Sequence, residues 1–306
     1  MINVMFSLHK PIFKSIDEII NIEDFENTEE QALFKKIFNK NHFANPLNRG
    51  DNWNYRKFIM VATQRTGTNL LVNLLRSHSN IVCYTELFKE NNRPLWCFNR
   101  IDSETLTLSK KYPVPYLQHF FFRNYDNNVK AVGFKLMYNQ LPAHKAKQVI
   151  HMLDKEKDVL VHVKRKNKLK TFTSMKLMEV NKKSVQLIDE ENIASFLHKK
   201  PDSPYISSIY ISASEWRQYI KKVQQQEQRF DRWIQDYHYL TVYYEDLEND
   251  YITEANKVID ALQLPSEELT CLNKKLNTLP LSQTIINYAE LKKEFYGTAW
   301  ECFFEE

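Results

Sequence analysis

The sequence predicts an α/β protein, with a mostly parallel sheet covered by helices on both faces. Two observations carry that expectation. Apolar, β-prone runs recur five times, at 58–63, 81–84, 130–140, 158–163 and 239–244. Segments with helical apolar spacing separate them, so successive strands need crossover connections and lie side by side in parallel. A third observation concerns extent. Between 56 and 306 there is no repeat, low-complexity tract or interdomain linker, so this span reads as one domain.

Bulk properties bound the function. The chain has 306 residues, 43% hydrophobic and 13% aromatic, enough for a substantial core. A net charge of +4 suits a pocket for an anionic ligand without requiring nucleic acid. Cys83, Cys97, Cys271 and Cys302 are far apart and form no CxxC pair. They predict neither a zinc site nor a disulfide framework, and fit a reducing compartment. No apolar run approaches the ~18 residues of a membrane span, and the N-terminus lacks a signal-peptide pattern. A cytoplasmic location without a transmembrane segment is therefore expected. Residues 1–55 read as a polar, helical N-terminal extension with apolar spacing at Ala32, Leu33, Ile37 and Phe38.

The first strand leads into the chain's most informative stretch. Phe58-Ile59-Met60-Val61-Ala62-Thr63 is a buried strand, and Leu70, Leu71, Leu74 and Leu75 recur on one helix face. Between them lies Gln64-Arg65-Thr66-Gly67-Thr68-Asn69. A strand, a tight turn and a helix N-terminus present free N–H groups and a positive dipole end, which favours an anion. Arg65 adds a cation, and Thr66 and Thr68 add hydroxyls. An ordinary connection with a surface Arg is the bland alternative. The chain holds only 4 glycines, where average usage would give roughly twenty, and it places one here. The loop is not a Walker A, because it lacks the first Gly and the Lys-Ser/Thr pair.

This pattern of strand, Arg-Ser/Thr-Gly-Ser/Thr and Leu-rich helix resembles the 5′-phosphosulfate loop of sulfotransferases that use 3′-phosphoadenosine 5′-phosphosulfate (PAPS). The resemblance is closest to the bacterial carbohydrate branch, which includes the trehalose and Nod-factor enzymes. It implies a P-loop-like sulfotransferase fold over 56–306. It also implies transfer of a sulfonate from PAPS to a hydroxyl of a carbohydrate or glycolipid, with no metal and no nucleic-acid partner. Gln64, Arg65, Thr66, Gly67, Thr68 and Asn69 would then hold the phosphosulfate, with Arg65 also stabilising charge on the leaving phosphate. Glu86, in Thr85-Glu86-Leu87-Phe88 after the second strand, matches the Glu-x-Phe element whose Glu is the proposed general base in such enzymes. Its bland alternative is a solvated loop carboxylate. His78 lies before that strand and reads as a helix-end cap.

Further along, 89–128 is rich in aromatic residues and irregular. Trp96, Phe98, Tyr112, Tyr116 and Phe120-Phe121-Phe122 are either core or a stacking platform. Lys135 in the third strand is either a sulfonate contact or an exposed strand-end lysine. The fourth strand runs into Lys164-Arg165-Lys166-Asn167-Lys168-Leu169-Lys170, a basic run followed by Thr173 and Ser174. It reads as a nucleic-acid patch, a solvated helix face, or, by the resemblance, the 3′-phosphate site made of an Arg and a later Ser. The register leaves Arg165 with Ser174 as the choice, and Lys166 and Thr173 as substitutes. A turn-rich lid or acceptor-binding loop is expected within 184–212. Ser212 to Glu215 has capping-box spacing ahead of a long amphipathic helix that includes Trp216, Tyr219, Ile220 and Phe230. Glu245 reads as a carboxylate bracing the end of the fifth strand. The tail from Ile286 to Thr298 also looks like the C-terminal end of that branch. The rival functions are a P-loop-type kinase or phosphotransferase, and a non-catalytic anion- or RNA-binding module.

Overall fold

The structure is a computed structural model describing residues 51–89, 103–186, 206–270 and 279–305, with residues 28, 29, 31 and 32. In chain order the elements are β1 (Arg56–Ala62), α1 (Thr68–Ser77), β2 (Ile81–Glu86), α2 (Ser103–Lys111), α3 (Pro113–Phe120) and β3 (Ala131–Met137). Then follow α4 (Ala143–His151), β4 (Val159–Lys164), α5 (Lys168–Gln186), α6 (Ala213–Ile234) and β5 (Tyr239–Tyr243). The remainder is α7 (Tyr244–Asn249), α8 (Tyr251–Ala261), α9 (Leu281–Thr284), α10 (Tyr288–Glu294) and a 3₁₀ turn at Glu301–Phe304.

The five strands form one sheet in the order β2-β3-β1-β4-β5, and every pairing is parallel. The predicted α/β class is thus the observed one. Alternate residues of each strand enter opposite cores, as the two-residue period of a strand requires. Ile59, Val61, Phe134, Leu136 and Leu160 pack with α3, α4 and the end of α6. Phe58, Met60, Val161, Val163 and Val242 pack against α1 and α8. A third cluster joins α5, the start of α6 and the C-terminal elements around Trp216, which is fully buried.

The sheet order positions the site. The chain leaves β1 for β2 on one side and later crosses β1 to place β4 on the other. The carboxyl ends of β1 and β4 therefore flank the point where strand order reverses, where open parallel sheets form a crevice for ligands.

Two sequence readings change. Residues 103–120 form two helices rather than irregular chain, and Tyr112, Tyr116, Phe120, Phe121 and Phe122 are buried core. The aromatic density there reflects packing, not a stacking platform; Trp96 and Phe98 lie outside the described residues. Most of the expected N-terminal extension and most of the expected lid also lie outside them. Cys83 and Cys302 are free thiols. Among the described residues no helix is long and apolar enough to cross a membrane.

Candidate active site

β1 ends at Ala62, and the chain then makes a turn with two left-handed residues, Arg65 at φ 65° and Gly67 at φ 79°. A non-glycine residue in that region is uncommon and clusters at functional sites. Gly67 is the N-cap of α1 and offers no capping side chain, and the first turn carries no acid. The leading N–H groups of α1 therefore keep their capacity for an anion. The glycine is required twice over. Besides its positive φ, a Cβ here would lie 2.7 Å from Tyr244 Cδ2. Thr66 is fully buried and its hydroxyl donates to the Thr63 carbonyl at 2.8 Å. It braces the turn, so the expected hydroxyl donor at Thr66 is already used. Gln64 is half-buried beside it, and Thr68 is buried.

The basic run after β4 meets this turn directly. Arg65 Nε donates to Ser174 Oγ at 2.9 Å, and its Nη1 lies 3.9 Å from Met178 Sδ. Arg165 Nη1 donates to the Arg65 carbonyl at 3.2 Å, and its guanidinium lies 4.2 Å from the centre of the Tyr244 ring. Arg165 Nε and Thr173 Oγ1 are buried with no hydrogen-bond partner. Unsatisfied buried polar groups are costly, and a ligand atom accepting from either would remove that cost.

Lys166 Nζ donates to Asp246 at 2.9 Å. The backbone N–H groups of Lys166 and Asn167 donate to Glu245 at 2.9 and 3.1 Å. Glu245 thus braces the strand ends as expected, and it also takes the N–H groups ahead of α5. The N–H groups of Lys166 and Asn167 are thereby taken from any anion at this basic run. A cleft of about 360 Å³ opens beside them, lined by Arg165, Lys166, Lys170, Tyr244 and Phe303 among others. The sequence reading did not assign Tyr244 or Phe303 to the site. Their approach to Arg165 is long-range, and no local signal marks it.

Glu86 is the last residue of β2 and largely buried, with 14% of its side chain exposed. Its Oε1 lies 3.2 Å from Lys135 Nζ, and its Oε2 accepts from Gln140 Nε2 at 2.8 Å. Lys89 stands 3.7 Å from Oε2. The solvated-loop alternative for Glu86 does not hold. Lys135 is no exposed strand-end lysine either, because it is 3% exposed and also donates to Asn69 Oδ1 in the first turn of α1. Burial lowers its pKa, and Glu86 opposes that shift. His78 is the C-cap of α1, with Nε2 2.8 Å from the Pro265 carbonyl, as the sequence implied.

The arrangement is a helix N-terminus with an adjoining guanidinium pair, and a carboxylate–lysine pair one hydrogen bond from the same helix. The profile of the Stf0 sulphotransferase family matches residues 57–284, well over half of the chain. The chain belongs to that family. This sulfotransferase gives no significant match among curated proteins. Among solved structures it is similar to a sulfotransferase from Alicyclobacillus acidocaldarius at 10% identity, TM-score 0.41, covering 78% of this chain and 89% of that one. It is also similar to mouse sulfotransferase SULT7A1 complexed with PAP, at 14% identity and TM-score 0.35, covering 72% of this chain and 64% of that one.

Proposed function

We propose that the sulfotransferase takes its sulfonate from PAPS and passes it to a hydroxyl of a carbohydrate or glycolipid, with Glu86 as general base. The observation that carries this reading is the contact between two anion-binding groups. The β1–α1 turn and the β4 strand end meet through Arg65, Ser174 and Arg165. PAPS has two anionic ends, a phosphosulfate and a 3′-phosphate. The free N–H groups of α1, with Gln64, Arg65, Gly67, Thr68 and Asn69, suit the first. Arg165 Nε and Thr173 Oγ1, both lacking a partner, and the nearby Ser174 suit the second. The residues present fit the donor.

The bound donor supplies an activated sulfonate with a phosphate leaving group. The chain's own residues supply the rest. Arg65 and the α1 N-terminus offset charge where it grows on the leaving oxygen. Glu86 accepts the acceptor's proton as its oxygen attacks sulfur. The turn holds the reacting ends in line.

Calorimetry tests the donor. Adenosine 3′,5′-bisphosphate (PAP) should bind without magnesium and more tightly than ATP with magnesium. Tighter binding of magnesium-ATP would replace this reading with a phosphotransferase. Turnover on any acceptor found in a panel of sugars and glycolipids should fall about 10²- to 10⁴-fold in Glu86→Gln. Near-normal turnover there would remove Glu86 as base.

A further inference from the structure

Lys135 sits within β3, in register with Met60 of β1 and Glu86 of β2. A parallel strand covered on both faces ordinarily carries an apolar residue at such a place. Its ammonium meets two acceptors: Asn69 Oδ1 at the start of α1, and Glu86 Oε1 at 3.2 Å. An ammonium has three N–H donors, so one remains after these two. Lys135 is thus the direct link between the helix end that would receive the donor and the carboxylate that would receive the proton. Gln140, on the opposite carboxylate oxygen, makes no such link.

We propose that Lys135 is a positioning residue that couples donor binding to release of the base. With the turn empty it holds Glu86; with a phosphosulfate on the turn its charge is drawn to the donor, and Glu86 is freed for the acceptor hydroxyl. This rests on the roles of the turn and Glu86 proposed above. The reason is Coulombic. Two anions on one buried cation repel each other and the cation cannot sit close to both at once, and the low-dielectric surroundings magnify the competition. The lysine stem is flexible, so the head can shift by a rotamer change without moving the strand. Asn69 keeps the head beside α1 throughout. Burial also disfavours the protonated form, so a second anion nearby is compensated by a stronger hold on the proton. Donor would therefore engage before Glu86 becomes competent.

The coupling can be read without turnover, from PAP affinities in a double-substitution cycle. Glu86→Gln should tighten PAP about three- to tenfold, because the lysine is no longer shared. Lys135→Met should weaken it by a similar factor. The double variant should match Lys135→Met within about twofold, since neighbours in one network are not additive. If Glu86→Gln binds PAP as the unaltered protein does, or if the two effects add, the coupling is wrong while the donor assignment stands. An unaltered protein that binds no PAP overturns both. Should Lys135→Met fail to fold with Glu86 left without its cation, comparing Glu86→Gln with the double variant decides the matter. Equal affinities in that pair overturn the coupling.

Discussion

Gly67 joins the backbone requirement of the turn to the packing of the site. Its φ of 79° belongs to a region that L side chains enter at a cost, and Tyr244 occupies the space a Cβ would take. Tyr244 in turn lies under the Arg165 guanidinium. Gly67→Ala should therefore destabilise the fold by about 1–3 kcal/mol in urea unfolding. It should also weaken PAP, because displacing Tyr244 displaces Arg165. A variant of normal stability and affinity would mean the turn relaxes freely. Glu86 makes the same point about locality. The ion pair with Lys135 puts it one cation away from Asn69 at the start of α1, which its position in the sequence does not show.

At the scale of elements, α6 is set at both ends. The Ser212–Glu215 capping box forms as its spacing predicts. At the far end Asp231 reaches back to β4, 2.6 Å from Lys164 Nζ and 3.0 Å from His162 Nδ1. His162 Nε2 meets the Tyr138 hydroxyl at 2.5 Å. Burial alone would raise the Asp231 pKa, but its hydrogen bonds to His162 and Lys164 outweigh it and lower the value from 3.8 to about 2. A folded-state pKa below the unfolded one gives stability that is present above the unfolded pKa and lost as pH falls through the folded one. The contribution should be complete above pH ~4 and vanish towards pH ~2. Unfolding experiments across that window should show a shallower pH slope in Asp231→Asn than in the unaltered protein. Equal slopes would assign the acid sensitivity to other carboxylates.

The whole molecule combines a sheet buried on both faces with a third cluster that ties the C-terminal residues to the site. Trp216 is fully buried in that cluster, against Phe172 of α5 and Phe303 near the C-terminus. Trp216→Ala should cost about 3–5 kcal/mol, as large-to-small changes in a packed core do. Amide exchange should quicken at residues 301–304 and at α5, which carries Thr173 and Ser174. Exchange that quickens only within α6 would show that the cluster does not unite these parts.

The α/β class, the five strands, the strand–glycine–helix turn and the α6 cap were all legible in the chain. Each is a local property: β-prone runs, helical spacing, a scarce glycine, or hydrogen-bonding groups close in sequence. Tertiary structure alone decided what those groups do together. Arg65 and Ser174 are 109 residues apart, and Arg165 reaches the Arg65 carbonyl across 100. Successive residues of a helix point about 100° apart, so a count along the sequence could not tell Thr173 from Ser174. In the folded chain Ser174 faces Arg65, and Thr173 is buried with its hydroxyl lacking a partner. Likewise nothing in the strand pattern says that Lys135 is buried between Asn69 and Glu86, or that Lys166 turns to Asp246. The sheet order set those encounters by bringing the ends of β1 and β4 together, and sheet order depends on packing all the crossovers at once rather than on any one segment.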